Sequence, residues 1–474
     1  VNAPQTDTYR DDALIGGAWV QATATDDVEN PATETVIGTS ALCDGSMVDA
    51  AVTAARKAGR GWALTPAAAR ADALAALARA LRSMRDELVD VTVAEVGVSV
   101  VNARAWHVDL AIELIESASA NARNYDFEQE LGNSLLLRKP VGVVACITPW
   151  NYPLYQLAAK VGPALAAGCT VVLKPAALAP LSSYLFAEAT IAAGLPEGVF
   201  NLVPGAGSVV GSALATHPDV DLVSFTGSTA VGRQVGADAA AQLKRVCLEL
   251  GGKSSSIVCE DADLKSAVEA SVDSAMLNSG QTCSAWTRLL VPAHRYEEAL
   301  AIAGDHANSL VVGDPQSEAT DVGPLISAKQ RNDVAGVIDA AIARGARAVA
   351  GGSSRPSEKG HFVRPTILAD LDPSDPASQS EIFGPVLVVH PYNGETEAIE
   401  IANGTPYGLG GAVWAGTEAR ALGIARQLDT GQVDINGAAF NPEAPFGGWK
   451  ASGMGRELGV AGLEEYTEIT AVQR

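Results

Sequence analysis

The chain has 474 residues, 47% of them hydrophobic and 19% charged, the balance of a globular protein too long for one ordinary core. A formal net charge of −22 and a pI near 4.6 exclude the basic stripe that nucleic-acid binding needs. No uninterrupted apolar run reaches the roughly 18 residues of a membrane span, so neither nucleic acid nor membrane is expected as a partner.

Residues 1–7 show no basic patch followed by an apolar block, so no secretory signal is expected there. From Glu128-Gln129-Glu130-Leu131 through Gly132-Asn133 to Ser134-Leu135-Leu136-Leu137-Arg138 the pattern predicts a β-hairpin, which has bare edges unless something pairs with it. Val141 to Ile147 then reads as a buried strand. A helix from about Tyr155 to Ala167, a strand at Thr170 to Lys174, a helix from Leu181 to Ala193 and a strand at Val199 to Val203 follow. This β-α-β-α-β rhythm predicts a doubly wound parallel sheet, and it returns after Lys253 with a strand at Ser256 to Val258 and a helix from Leu264 to Leu277. Two α/β domains are expected, with Ser353 to Gly360 as a mobile loop.

Two positions carry chemistry that no single residue can supply. Cys283, in Asn278-Ser279-Gly280-Gln281-Thr282-Cys283-Ser284-Ala285-Trp286-Thr287-Arg288, offers a thiol that can attack carbon. Glu249, in Leu248-Glu249-Leu250-Gly251-Gly252-Lys253, offers a carboxylate whose leucine neighbours would desolvate it and raise its pKa toward working pH. The other cysteines, Cys43, Cys146, Cys169, Cys247 and Cys259, read as ordinary buried thiols. With no C-x-x-C pair and few, scattered His residues, no metal site is expected, and a reducing cytoplasm is the simplest compartment.

Further segments are Thr148-Pro149-Trp150-Asn151-Tyr152-Pro153, Leu173-Lys174-Pro175-Ala176, Phe225-Thr226-Gly227-Ser228, Glu381-Ile382-Phe383-Gly384-Pro385, Pro445-Phe446-Gly447-Gly448 and Ser452-Gly453-Met454-Gly455-Arg456-Glu457. With the segments around Cys283 and Glu249, and in this order, they resemble the aldehyde dehydrogenase superfamily nearly end to end. The resemblance implies a Rossmann-like cofactor-binding domain over 1–124 and 141–252 and an α/β catalytic domain over 253–452. It further implies a β oligomerisation arm over 125–140 and 453–474, in a homo-oligomer that is a dimer or tetramer.

It also implies oxidation of a small-molecule aldehyde to a carboxylic acid with NAD or NADP. Cys283 would form the thioester, Glu249 would activate the water that cleaves it, and Asn151 would donate to the oxyanion. The resemblance puts Lys174 on the adenosine ribose and Glu381 and Phe383 at the nicotinamide ribose, with Thr148, Trp150 and Leu250 also at the cofactor. Gly205-Ala206-Gly207-Ser208-Val209-Val210-Gly211 is by itself a weak dinucleotide fingerprint. The loop through Gly227, Ser228 and Gly232 follows a strand and opens a helix, which aims free N–H groups at an anion. By resemblance this second loop meets the pyrophosphate, and Gly205 and Gly207 line the adenine side.

Ala177 stands where NAD-preferring members often carry Glu, so the choice between NAD and NADP stays open. By analogy Tyr155, Gln156, Ala159, Trp286 and Phe440 line the substrate funnel. They suit an apolar or aromatic aldehyde, and equally a cation-binding box for an amino-aldehyde. The rival readings are a CoA-acylating enzyme, whose branch usually lacks the general-base Glu, and a catalytically silent binding or structural protein.

Overall fold

The computed structural model describes residues 10–474; the reading of residues 1–7 lies outside them. Five parallel strands form the centre of an eight-stranded sheet: β1 (Val143–Ile147), β2 (Thr170–Lys174), β3 (Phe200–Leu202), β4 (Leu222–Thr226) and β5 (Arg245–Glu249). β1, β2 and β4 are buried at every position, which is why they read as continuous apolar runs rather than alternating ones. Their spatial order is β3-β2-β1-β4-β5, so the winding direction reverses between β1 and β4. Crevices at such reversals, outside the carboxyl ends of the strands, are where open α/β sheets bind ligands. The register keeps these ends level, pairing Ile147 with Lys174 and with Phe225, and Thr226 with Glu249.

Helix α1 (Pro153–Ala167) joins β1 to β2 and is buried along its whole length. It begins before the Tyr155 expected from sequence because Pro153 supplies the preset φ of a first helical turn, and it ends where Gly168 adopts φ 97°. Helix α2 (Leu181–Ala192) joins β2 to β3, and α3 (Thr229–Ala241) joins β4 to β5.

A second sheet of seven strands follows. It comprises β6 (Ser255–Val258), β7 (Arg288–Pro292), β8 (Arg347–Ala350), β9 (Thr366–Ala369), β10 (Val386–Tyr392), β11 (Gly411–Trp414) and β12 (Asp434–Ile435). They lie in the order β8-β9-β10-β7-β6-β11-β12, parallel except for β8. The helix expected over Leu264–Leu277 is α4 (Leu264–Met276), and Ser353 to Gly360 holds no helix or strand.

The hairpin is present as Glu128–Leu131 and Ser134–Pro140, and Thr467–Gln473 adds a third antiparallel strand to it. Gly453–Met454, grouped with this arm on sequence, instead pairs antiparallel with Leu248 and Glu249 at the edge of the first sheet. Among the described residues no helix is long and apolar enough to cross a membrane.

Candidate active site

Cys283 lies on the loop between α4 and β7 and is the one thiol of six that is not fully buried. Three consecutive left-handed residues deliver it: Asn278 (φ 51°), Ser279 (φ 58°) and Gly280 (φ 75°). Such conformations are costly without glycine and persist where surrounding contacts over-determine them. Here Asn278 Nδ2 donates to Asn151 O at 2.8 Å, Ser279 Oγ to Gly323 O at 2.9 Å, and Gln281 Oε1 accepts from Ile326 N at 2.9 Å. Gly280 has no room for a side chain, because a Cβ would stand 2.1 Å from the Gly384 backbone. Gly252 is equally constrained, by the Cys283 carbonyl at 2.3 Å from its would-be Cβ.

Asn151 is buried and ties its own loop to that of Cys283, its Nδ2 donating to Gln281 O at 2.9 Å. A carboxamide nitrogen carries two N–H bonds, so one remains for a ligand. Glu249 ends β5, and neither of its oxygens has a hydrogen-bond partner among the described residues. Burial, reinforced by Glu457, holds its carboxyl well above the usual range, while Lys160 and Arg456 pull the other way. Burial likewise raises the Cys283 thiol, with the charges of Glu249 and Glu381 adding to it. Both shifts favour the protonated form.

Lys160, inside α1, and Glu457 form an ion pair with both side chains buried. The sequence reading assigned neither. A lone Lys within the apolar run of α1 was the available signal, since a buried ammonium needs a partner.

The expected cofactor residues gather along the level carboxyl ends of the first sheet. Thr148 follows β1, and its Oγ1 is buried without a partner among the described residues. Lys174 ends β2, where burial lowers its amine to about 8, and its Nζ reaches the Pro175 carbonyl. Gly205 and Gly207 follow β3, and Gly211 of the same turn approaches the Lys174 stem. Gly227 follows β4, and Ser228 caps α3 by accepting from Val231 N. Gly232 sits on the first turn of α3 against Leu250. Glu381 accepts from Gly252 N at 3.0 Å, with burial pushing its carboxyl up to about 7. Phe383, at φ 57°, meets the Trp150 ring edge-on at 5.3 Å. Among the described residues, a buried amine without an anion, an unpartnered hydroxyl and a helix N-terminus on one edge fit a dinucleotide.

Cys283 opens on a cavity of about 350 Å³ whose lining includes Tyr155, Gln156, Trp286 and Phe440. Ala159 is not part of it. One turn further along α1, it lines a separate small cavity together with Leu114 and Ala118. The cavity also recruits Trp106, Tyr152, Phe446 and Asp434, which the sequence reading did not assign. Trp106 comes from a π-helical turn, Ala103–Asp109, whose His107 stacks on Tyr152 with ring centroids 4.4 Å apart. Tyr152 is further held by a 2.7 Å hydrogen bond with Thr282.

Comparison with known proteins follows the same lines. The aldehyde dehydrogenase family profile matches residues 19–472. A 3-succinoylsemialdehyde-pyridine dehydrogenase from a Pseudomonas species is 47% identical over 97% of both chains. Geranial dehydrogenase of Castellaniella defragrans is 41% identical over 97% of this chain and 98% of its own. Aldehyde dehydrogenase C of Pseudomonas syringae, solved as a mutant with NAD+ and octanal, superposes with a TM-score of 0.97 at 44% identity, covering 100% of this chain and 98% of that one. An aldehyde dehydrogenase of Mycobacterium tuberculosis with NAD+ does so at 0.96 and 41%, covering 99% of each.

Proposed function

The chain belongs to the aldehyde dehydrogenase family and oxidises an aldehyde to a carboxylic acid with a nicotinamide cofactor; from that premise we propose that Cys283 is its nucleophile, Asn151 its oxyanion donor and Glu249 its general base. The observation that carries this reading is the single accessible thiol, on a cavity wall, with an amide and a partnerless carboxyl on the elements around it.

In this mechanism the Cys283 thiol releases its proton to solvent, and the thiolate sulfur attacks the carbonyl carbon. Asn151 Nδ2 and the Cys283 N–H stabilise the oxygen as it gains charge, and losing one such donor costs about 10²–10³ in rate. The bound nicotinamide supplies the acceptor for the hydride that the tetrahedral carbon releases. The carbon is then a thioester on Cys283. Glu249, once ionised, takes a proton from water as the oxygen of that water adds to the thioester carbon; the carbon–sulfur bond then breaks to give the acid, and the proton on Glu249 passes to the departing sulfur.

Lys174 and the N-terminus of α3 would bind the ribose and the pyrophosphate, with Glu381 at the second ribose. Ala177 brings no charge to repel a 2′-phosphate, so the proposal extends to both NAD and NADP. The aromatic lining favours an aldehyde on an apolar or aromatic body, in keeping with relatives named for a pyridine semialdehyde and for geranial. Six free thiols suit a reducing, cytoplasmic setting. The three-stranded arm, with an unpaired outer edge at Glu128–Leu131, suits a dimer or tetramer.

The test is appearance of reduced cofactor with NAD and with NADP across aliphatic, aromatic and amino-aldehydes, expected for the wild type and lost in Cys283→Ala. Full turnover by that variant, or turnover that demands CoA, would overturn the assignment.

A further inference from the structure

The cavity beside Cys283 is walled by Trp106, Tyr152, Tyr155, Trp286, Phe440 and Phe446. Into this apolar lining the chain places two carboxylates, Asp273 and Asp434, and among the described lining residues no Lys, Arg or His. The Asp273 carboxylate already has a partner, His306 Nε2 at 2.6 Å. Asp434 is differently placed. It opens β12, the last strand of the second sheet, and Gln432, two positions earlier, lines the same cavity. Among the described residues its one side-chain hydrogen bond is donated by Gln432 Nε2 at 3.2 Å.

A carboxylate can accept about four hydrogen bonds, so Asp434 retains most of its capacity. Burial pushes its proton affinity up, the mark of an anion with too few donors around it. A protonated nitrogen entering the cavity would supply donors and opposite charge together, and the electron-rich ring faces around it would add to the attraction. A substrate carboxylate would instead meet like charge on a wall that offers it no cation.

We infer that Asp434, with Gln432 beside it, receives a protonated nitrogen at the end of the aldehyde remote from its carbonyl. The enzyme then favours aldehydes that end in an amine or a basic heterocycle over those that end in a carboxylate. The inference rests on the reading of Cys283 as the nucleophile, and it makes Asp434 a specificity-determining residue.

The experiment compares kcat/KM for a matched series of straight-chain aldehydes, three to eight carbons long, ending in ammonium, methyl or carboxylate. In the wild type the ammonium-ended members should be the best and the carboxylate-ended members the poorest at the length that spans the cavity. Asp434→Asn should cut the ammonium-to-methyl ratio about 10- to 100-fold, the range of one hydrogen bond to a charged group, and Asp434→Glu should restore much of it. A wild type that uses carboxylate-ended members as well as ammonium-ended ones, or a ratio that Asp434→Asn leaves unmoved, overturns the inference while the proposed chemistry stands. Absence of reduced cofactor from every member would overturn both.

Discussion

Burial raises the proton affinity of Cys283 and of Glu249, so both favour the protonated form, and each must be without its proton to act as nucleophile or base. If Glu249 activates water, the hydrolytic step should quicken as pH rises through its elevated pKa. Glu249→Gln should keep a rapid first turnover of reduced cofactor but lower the steady-state rate about 10²–10⁴-fold, measurable by stopped-flow. The stability consequence has the opposite sense. Above the ordinary carboxylate range the folded chain holds a proton at Glu249 that the unfolded chain has released, so stability falls as pH climbs from that range to the raised pKa. Urea midpoints of Glu249→Gln should show less of this decline than the wild type. Lys160→Met would leave Glu457 buried and unpaired at a cost of about 3–5 kcal/mol by urea denaturation. It would also shift the pH–rate limb upward, because Lys160 lowers the proton affinity of Glu249. Cys283, Glu249 and Asn151, the residues proposed for the chemistry, stand out from their local segments. The Lys160–Glu457 pair does not, because its partners stand 297 positions apart.

The elements place these groups through turns whose residue types are tightly constrained. The Asn278-Ser279-Gly280 turn is left-handed throughout, and Gly280 sits flush against another backbone, that of Gly384. Gly280→Ala therefore has nowhere to put its methyl group. It should push apart the Cys283 loop and the segment bearing Glu381 and Phe383, losing most turnover together with thermal stability, as activity assays and calorimetry would show. The helices and strands of the first sheet were predicted closely because a doubly buried strand and a Gly-ended helix announce themselves in composition. Ala159 marks the limit of that kind of reading. It shares α1 with Tyr155 and Gln156, yet what it faces depends on Leu114 and Ala118, on an element far away in the chain.

At the scale of the whole molecule, the hairpin and the carboxyl-terminal strand form a sheet with apolar side chains turned outward, Leu131 at 61% and Ile469 at 57% exposure. If this arm joins subunits, Ile469→Lys should lower the molar mass measured by light scattering while leaving the far-ultraviolet spectrum intact. By itself the sequence determined the family and the alternation of strand and helix, and it singled out the thiol, the amide and the carboxyl proposed for the chemistry. Those features rest on local periodicity and on short segments whose chemistry is self-contained. Only the tertiary structure decided that the winding reverses between β1 and β4, that Lys160 answers Glu457, and that Asp434 shares a wall with Cys283. Burial and charge pairing are properties of neighbours in space, and residues distant in the chain become neighbours only when the sheets close on one another.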